Sequence, residues 1–307
     1  MPFEGIVSVL KPPGLTSSDV VVDIRRIFGE KRVGHTGTLD PAAAGVLPIC
    51  IGRATRLFDH LVDKEKEYIT EIRFGKATDT EDAYGAVVES ADCDITEDRL
   101  LEVLPEFLGE QQQVPPIYSS ISVNGVKLYK LARSGKLTEP VEQRKRTITV
   151  HAIELIEKTA KNSFLVKVRC SKGTYVRTLC RDIGKRLGVP AYMPFLLRTS
   201  SGSFTIENTL TIAELKALKT EGEAALASVL TPIDKAVENI PEIRLDALGA
   251  REKRLIVNGA SIPFDGAEKN RPHRLYIDGI FMGLALLDAG GLHISVYLGP
   301  EHNNTKE

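Results

Sequence analysis

The sequence has no apolar run approaching the roughly 20 residues that cross a bilayer; its longest apolar stretches are strand-sized. The early run Gly5–Leu10 is too short, and too soon broken by Pro12-Pro13-Gly14, to read as a secretory signal. Cysteine is scarce. The four, at 50, 93, 170 and 180, form no CxxC pair, so neither a zinc site nor a disulfide framework is indicated, and they read as reduced and structural. Charge of one sign is lacking too: 40 Lys and Arg face 41 Asp and Glu, so any hold on nucleic acid must come from local clustering. No internal repeat is present, and no low-complexity tract beyond the short tail 302–307. A helical membrane protein, a disulfide-stapled secreted domain and a generally basic protein are thereby excluded, and a cytoplasmic chain is expected.

What is present is ordinary globular material in which one stretch stands out. A chain of 307 residues, 42% hydrophobic and 26% charged, is long enough for a sizeable core and points to two domains or one large one. In Gly34-His35-Thr36-Gly37-Thr38-Leu39-Asp40-Pro41, glycines and a proline bracket a lone carboxylate, and the apolar run that follows, through Gly52, reads as a buried strand. Pro41 biases Asp40 away from helical angles, while Gly34, Gly37 and Gly45 allow close backbone approach. By this pattern alone the stretch is either a ligand-facing wall or a common Asp-Pro turn.

The remaining pattern is mixed. Gly5–Leu10 reads as a strand, followed by a helix capped by Ser17 or Ser18, with Val20, Ile24 and Ile27 inward and Gly29 ending it. A second short helix opens at Arg53, with Leu57, Phe58 and Leu61 inward. From Tyr68 to Gly75 the chain alternates, placing Tyr68, Thr70, Ile72 and Phe74 on one face. The acidic turn Thr78–Gly85 lacks the order of an EF-hand, so calcium is not expected. Thr96 caps a helix running to Phe107. Between about 111 and 150 the chain turns basic, with Lys127, Lys130, Arg133, Lys136, Arg144, Lys145 and Arg146 opposed only by Glu139 and Glu142. This reads as a phosphate-contacting surface or as a solvated hairpin. Phe164–Cys170 is an alternating strand, and the helix after it carries the stripe Val176, Leu179, Ile183 and Leu187, with Tyr175 and Arg177 off that stripe. A lysine- and glutamate-rich helical connector reaches about Asn239, and short strands with Asp-Gly and Gly-Gly turns complete a small β-rich unit.

With these residues in place, the chain resembles the bacterial TruB family of tRNA pseudouridine synthases. The likeness rests on Lys11-Pro12-Pro13-Gly14-Leu15-Thr16-Ser17, the Gly34–Pro41 stretch, Lys66-Glu67-Tyr68, Thr78-Asp79-Thr80-Glu81-Asp82, Pro115-Pro116-Ile117-Tyr118-Ser119, Ser171-Lys172-Gly173-Thr174-Tyr175-Val176-Arg177, and Leu196 before Arg198-Thr199, in that order. The resemblance implies a mixed α/β (α+β) fold around a curved, mainly antiparallel sheet flanked by helices. It implies a catalytic domain over 1–239, with the basic insertion at about 111–150, and a PUA-like module over 240–307. It also implies isomerisation of uridine 55 in the tRNA T-loop to pseudouridine, on a flipped-out base, with no metal and no organic cofactor. Asp40 would be catalytic, Tyr68 would stack on the base, and Arg177 would pair with Asp40. Asp82 and Tyr175 would support that arrangement, His35 would fill space left by the everted base, and Leu196 would line the base pocket. The T-arm of tRNA is the implied partner; no protein partner or membrane is implied, and the chain is expected to act as a monomer. Three departures from the family pattern, at Ser122, Tyr192 and Leu197, are expected on RNA-facing surfaces and bear on docking rather than on the reaction.

Two rival readings are kept. One is a non-catalytic tRNA-binding protein or RNA-folding chaperone in which Asp40 is structural. The other is a glycosidase-like enzyme using Asp40 and Asp82 as a carboxylate pair, against which the basic stretch argues, since a neutral sugar needs no cationic track.

Overall fold

The computed structural model describes residues 3–300 apart from 63, 120, 124 and 138–143. β1 (Gly5–Lys11) leads into α1 (Ser17–Phe28). The cap of α1 is Thr16 rather than either serine: its hydroxyl accepts from the Asp19 N–H while the Asp19 carboxylate accepts from the Thr16 N–H. Ser17 cannot cap because it already lies in the first turn, and its hydroxyl both accepts from the Leu39 N–H and donates to the Leu39 carbonyl. Gly29, left-handed at φ 65°, ends the helix as the spacing predicts.

β2 (Val33–His35) and β3 (Ala44–Ile51) pair antiparallel and flank the loop carrying Asp40. A 3₁₀ turn over Gly52–Leu57 then runs into α2 (Phe58–Val62). Leu57 and Leu61 are buried as expected, but Phe58 is 43% exposed. The change from three to 3.6 residues per turn shifts the phase of the apolar stripe and turns Phe58 outward.

β4 (Lys66–Phe74) buries every second residue, Tyr68, Thr70, Ile72 and Phe74 among them. β5 (Lys76–Thr78) and β6 (Val87–Ser90) form a hairpin around the acidic turn. α3 (Glu97–Val103), capped by Thr96, continues as a 3₁₀ turn to Phe107, and β7 (Gly109–Gln113) follows. The basic stretch contains the small hairpin β8 (Ser122–Val123) and β9 (Val126–Lys127), then α4 (Leu128–Arg133). Next come β10 (Arg146–Ala160), β11 (Ser163–Cys170), α5 (Val176–Leu187), β12 (Ala191–Ser201) and β13 (Phe204–Thr205). The connector holds α6 (Ile212–Glu221) and α7 (Glu223–Ser228).

The main sheet runs β1-β3-β12-β4-β11-β10-β7, with β2 on β3 and β13 on β12, and is mainly antiparallel. Helices α1 and α5 pack their apolar stripes into its principal core. After the connector, β14 (Glu242–Leu245), α8 (Ala250–Val257), β15 (Pro272–Ile277), β16 (Ile280–Asp288) and β17 (Gly291–Tyr297) form a second sheet in the order β14-β15-β16-β17. This sheet has its own apolar cluster around Ile256, Leu275 and Leu292. Another cluster joins its Leu284, together with Leu298, to Ile6, Val46 and Phe204 of the first unit.

The C-terminal end of the Asp40 loop is tied into the sheet by a parallel contact, β12 beside β3, where Leu197 faces Ala44 and Arg198 faces Gly45. Gly45 has φ 122°, and a Cβ there would lie 2.2 Å from the Arg198 carbonyl oxygen. Gly45→Ala is therefore expected to cost about 2–4 kcal/mol, through backbone strain and separation of the strands. Urea melts measure it, and a loss below about 0.5 kcal/mol, the range of an ordinary surface change, would mean that the strands separate without penalty.

Candidate active site

The loop between β2 and β3 is held on several sides before any functional side chain is considered. Ser17 grips Leu39 through both backbone groups, the Ala43 N–H donates to the Asp40 carbonyl at 3.0 Å, and the Gly14 N–H donates to the Pro41 carbonyl at 2.8 Å. Lys11, fully buried, donates from Nζ to the carbonyls of Pro12, Leu15 and Pro41. Burial lowers the Lys11 ammonium to about 8, with Asp40 opposing that shift. The Lys-Pro-Pro-Gly turn thus supports the Asp40 loop from below.

Arg177, in the first turn of α5, meets this loop from the other side. Its Nε donates to Asp40 Oδ2 at 2.9 Å, with the arginine side chain 4% exposed and the aspartate 36%. Its Nη1 and Nη2 donate to the carbonyls of Thr80 and Tyr118, each at 3.0 Å. One guanidinium therefore joins α5, the acidic turn and the Pro115–Ser119 segment to the carboxylate. Its planar fork suits three diverging acceptors.

Asp40 lies where two cavities meet. The larger, about 630 Å³, is bordered by His35, Asp82, Tyr84, Tyr118 and Tyr129. The narrower, about 260 Å³, is bordered by Tyr68, Tyr175, Leu196 and Arg198. Thr38, Leu39, Asp40, Ser119 and Arg177 border both. Of the residues that the sequence singles out, His35 and Asp82 border only the larger, outer cavity, Tyr68, Tyr175 and Leu196 only the smaller, inner one, and Asp40 and Arg177 stand between them.

In the inner cavity, Tyr68 and Arg198 are cross-strand partners on β4 and β12, and Leu196 stands opposite Thr70. Burial pushes the Tyr68 phenol up to about 12, against the pull of the neighbouring Arg198 cation. Burial likewise lowers Arg198 from its ordinary value, with Tyr68 opposing. His35 is also lowered, chiefly by burial and further by Arg198. Tyr175 occupies the cap position of α5 and is raised by burial, with Arg146 opposing. The Arg146 guanidinium lies 5.3 Å from the centre of the Tyr175 ring, at the wall of the site.

Asp82 borders the outer cavity, but its Oδ1 already accepts from the Thr80 hydroxyl and the Tyr84 N–H. That anchors the acidic turn whose Thr80 carbonyl holds Arg177. Glu81 in the same turn, at φ 63°, is tied to α5 by Arg181 and by the Thr178 hydroxyl. The exposed residues of the basic stretch include Lys127, Lys130, Arg144 and Lys145. Residues 139 and 142, Asn124, the side chain of Arg133 and the tail 302–307 lie outside the described residues.

The register places the three departures as follows. Tyr192 stands opposite Arg73 and Leu197 opposite Ile69, positions one step out of phase with Tyr68 and Leu196, and so on the sheet face away from Asp40. Ser122 is exposed on β8, within the basic stretch.

Sequence reasoning missed Lys11 and Arg198 as parts of the site. By residue type both read as surface cations, yet both are fully buried. The available signal was alternation: Leu196 and Arg198 share a face of β12, so a base-pocket assignment for one brings the other with it. The cysteines agree with an inert role, since Cys50, Cys170 and Cys180 are buried and burial raises their thiols to about 12, 11 and 12. No grouping of three potential metal ligands occurs among the described residues, and no described helix is long and apolar enough to cross a membrane.

Comparison with known proteins places this geometry in context. Residues 25–176 match the TruB family pseudouridylate synthase N-terminal domain, and residues 177–238 match the tRNA pseudouridylate synthase B C-terminal domain. A tRNA pseudouridine synthase B of Caldanaerobacter subterraneus subsp. tengcongensis is 47% identical over 94% of this chain and 96% of its own. That of Clostridium perfringens (strain ATCC 13124) is 39% identical over 96% and 99%. Among solved structures, the chain is similar to one in an H/ACA RNP bound to a substrate RNA containing 2′-deoxyuridine, with a TM-score of 0.72, 25% identity and coverage of 96% of this chain and 85% of that one. A chain in a Cbf5-Nop10-Gar1 complex matches equally well, at a TM-score of 0.72 and 26% identity, covering 96% of this chain and 84% of that one.

Proposed function

This chain belongs to the TruB family of pseudouridylate synthases, and we propose from that premise that it isomerises uridine 55 in the T-loop of tRNA to pseudouridine. The observation that carries the reading is the Asp40–Arg177 pair at the mouth of a narrow cavity walled by Tyr68 and Leu196. In this reading the target base is everted into the narrower cavity and stacks on Tyr68, a contact worth roughly 1–3 kcal/mol in other single-strand readers. The bond from N1 to C1′ breaks, the detached base turns and C5 joins C1′; the proton on C5 passes to solvent and N1 takes one up, so the product is an isomer of the substrate. Asp40 acts at the sugar or the base. Attack at C1′, attack at C6 and proton abstraction from the sugar all begin from this carboxylate. Arg177 fixes its direction, and the apolar wall keeps competing water from the separated sugar and base.

His35, in the outer cavity, takes up part of the space that the everted base leaves. Asp82 holds the acidic turn, and Tyr175 closes the inner wall with Arg146 against it. The catalytic unit is taken as 1–239, including the basic insertion at about 111–150, and 240–307 as a PUA-like module; the separate four-stranded sheet supports that division. The T-arm suffices as substrate, and the protein works as a cytoplasmic monomer without metal or organic cofactor. Tritium release from C5-labelled tRNA, with a T-arm transcript in parallel, tests the reading. Binding without release would favour a non-catalytic RNA-folding protein, and release from whole tRNA alone would remove the T-arm claim.

The basic stretch is assigned to affinity. Lys127, Lys130, Arg133, Arg144, Lys145 and Arg146 would contact phosphates irrespective of sequence and release counterions on binding. Changing Arg144 and Lys145 together to Gln is expected to weaken tRNA binding and to flatten its logarithmic salt slope by up to about 2, while leaving the single-turnover rate at saturation unchanged. An unaltered slope would mean that these side chains do not touch RNA. Arg146→Gln is expected to differ by also slowing turnover, since Arg146 rests on Tyr175.

A further inference from the structure

Arg198 is the largest fully buried side chain of the described protein, 1% exposed. Its Nε donates to the Val46 carbonyl at 2.7 Å and its Nη2 to the Gly37 carbonyl at 3.2 Å. Those carbonyls lie on either side of Asp40 in the chain, so one guanidinium staples both ends of the loop that carries the carboxylate. The Arg198 backbone is in parallel register with Gly45, packed so closely that no Cβ fits between them. On its other edge Arg198 is the cross-strand partner of Tyr68, whose ring borders the same narrow cavity.

A buried cation without a carboxylate partner is costly, and apolar side chains of similar volume commonly serve a core as well or better. Stability alone therefore gives little reason for a guanidinium here. Its geometry gives another: a planar fork can hold two carbonyls of a loop and still face a phenol across the strand.

We propose that Arg198 is a positioning residue that holds the Asp40 loop in register with the Tyr68 ring, so that the base on Tyr68 presents its sugar to the carboxylate. The inference rests on the roles proposed above for Asp40 and Tyr68. It makes Arg198 act through those two residues, by the position it gives them. Its removal should impair the chemical step and spare the RNA contacts made by the basic stretch.

The test uses the full chain, with tRNA affinity and single-turnover tritium release measured for Arg198→Lys, Arg198→Met and the double variant Arg198→Lys with Tyr68→Phe. Lys keeps the charge but lacks the fork, and Met keeps the bulk but loses the charge. A misplacement of about 1 Å can cost about 100-fold, so both single variants should bind tRNA nearly as wild type while turning over about 100-fold more slowly. In the Tyr68→Phe background the Arg198→Lys loss should be smaller than in wild type, because the two residues act as a unit. Turnover within about threefold of wild type in both variants, or affinity falling in step with rate, overturns the proposal. So does loss of cooperative melting in both, which would make Arg198 a core residue and nothing more. Asp40→Asn is run beside them: if it retains turnover, the functional reading fails, whereas an inactive Asp40→Asn beside active Arg198 variants sinks only the present inference.

Discussion

Asp40→Asn should bind tRNA with near-native affinity, evert the target base, and form no detectable pseudouridine. The contacts assigned to binding are the Tyr68 ring, the Leu196 wall and the cations of the basic stretch, none of which needs a carboxylate. The substitution is also mild for the fold. The loop stays held by Ser17 on Leu39, by Gly14 and Lys11 on Pro41, and by the Ala43 N–H on the Asp40 carbonyl. The Asn amide oxygen can still accept from Arg177 Nε, and Arg177 keeps its bonds to the Thr80 and Tyr118 carbonyls. With a side chain 36% exposed at this position, solvent screens much of the lost ion pair, and a stability change under about 1 kcal/mol is expected. The measurements are tRNA affinity, fluorescence of a base analogue at the target position, and single-turnover conversion. Residual conversion within about tenfold of wild type, a barrier change of only about 1.4 kcal/mol, would remove Asp40 as the reacting group.

Arg177→Lys should also lose activity, for a different reason, and it should lose stability as well. A lysine nitrogen is a single point and cannot reach the Asp40 carboxylate, the Thr80 carbonyl and the Tyr118 carbonyl together. At least one of the carbonyls that Arg177 holds is then left without its donor, at about 1–3 kcal/mol, and the Asp40 carboxylate loses its direction. A drop of about 100-fold or more in single-turnover rate is expected, together with a melting midpoint lowered by several degrees. The contrast with Asp40→Asn is the informative part, since one variant keeps the melting curve and the other does not. A stable Arg177→Lys with near-normal turnover would mean that only the charge of Arg177 matters.

Much of this architecture can be read along the chain because its causes are local. The alternation from Tyr68 to Phe74 survives in β4, the stripe Val176, Leu179, Ile183 and Leu187 is buried in α5, and Gly29 and Gly188 end their helices in left-handed conformations. Two errors come from contacts and turns that the pattern does not show. The cap of α1 moved by one residue because Ser17 is engaged with Leu39, a partner remote in sequence. Phe58 turned outward because a 3₁₀ turn precedes α2.

The site divides in the same way. Turn chemistry and periodicity alone left Asp40 as either a ligand-facing wall or a common Asp-Pro turn; the family likeness singled out Asp40, Tyr68, Arg177 and Leu196, and the structure brings these four to the border of one cavity. Sequence signals could not reveal that Arg177 also holds the Thr80 and Tyr118 carbonyls, that Arg146 lies on Tyr175 rather than among the open cations, or that Tyr192 and Leu197 face away from Asp40. Nor could they reveal Lys11 and Arg198, which look like surface cations until the strands are paired. Those facts depend on register and on contacts between distant segments. A one-residue step along a strand reverses the face of a side chain, and a buried cation is tolerable only where folded backbone supplies the carbonyls to receive it. Neither condition exists until β3, β4, β12 and α5 have come together.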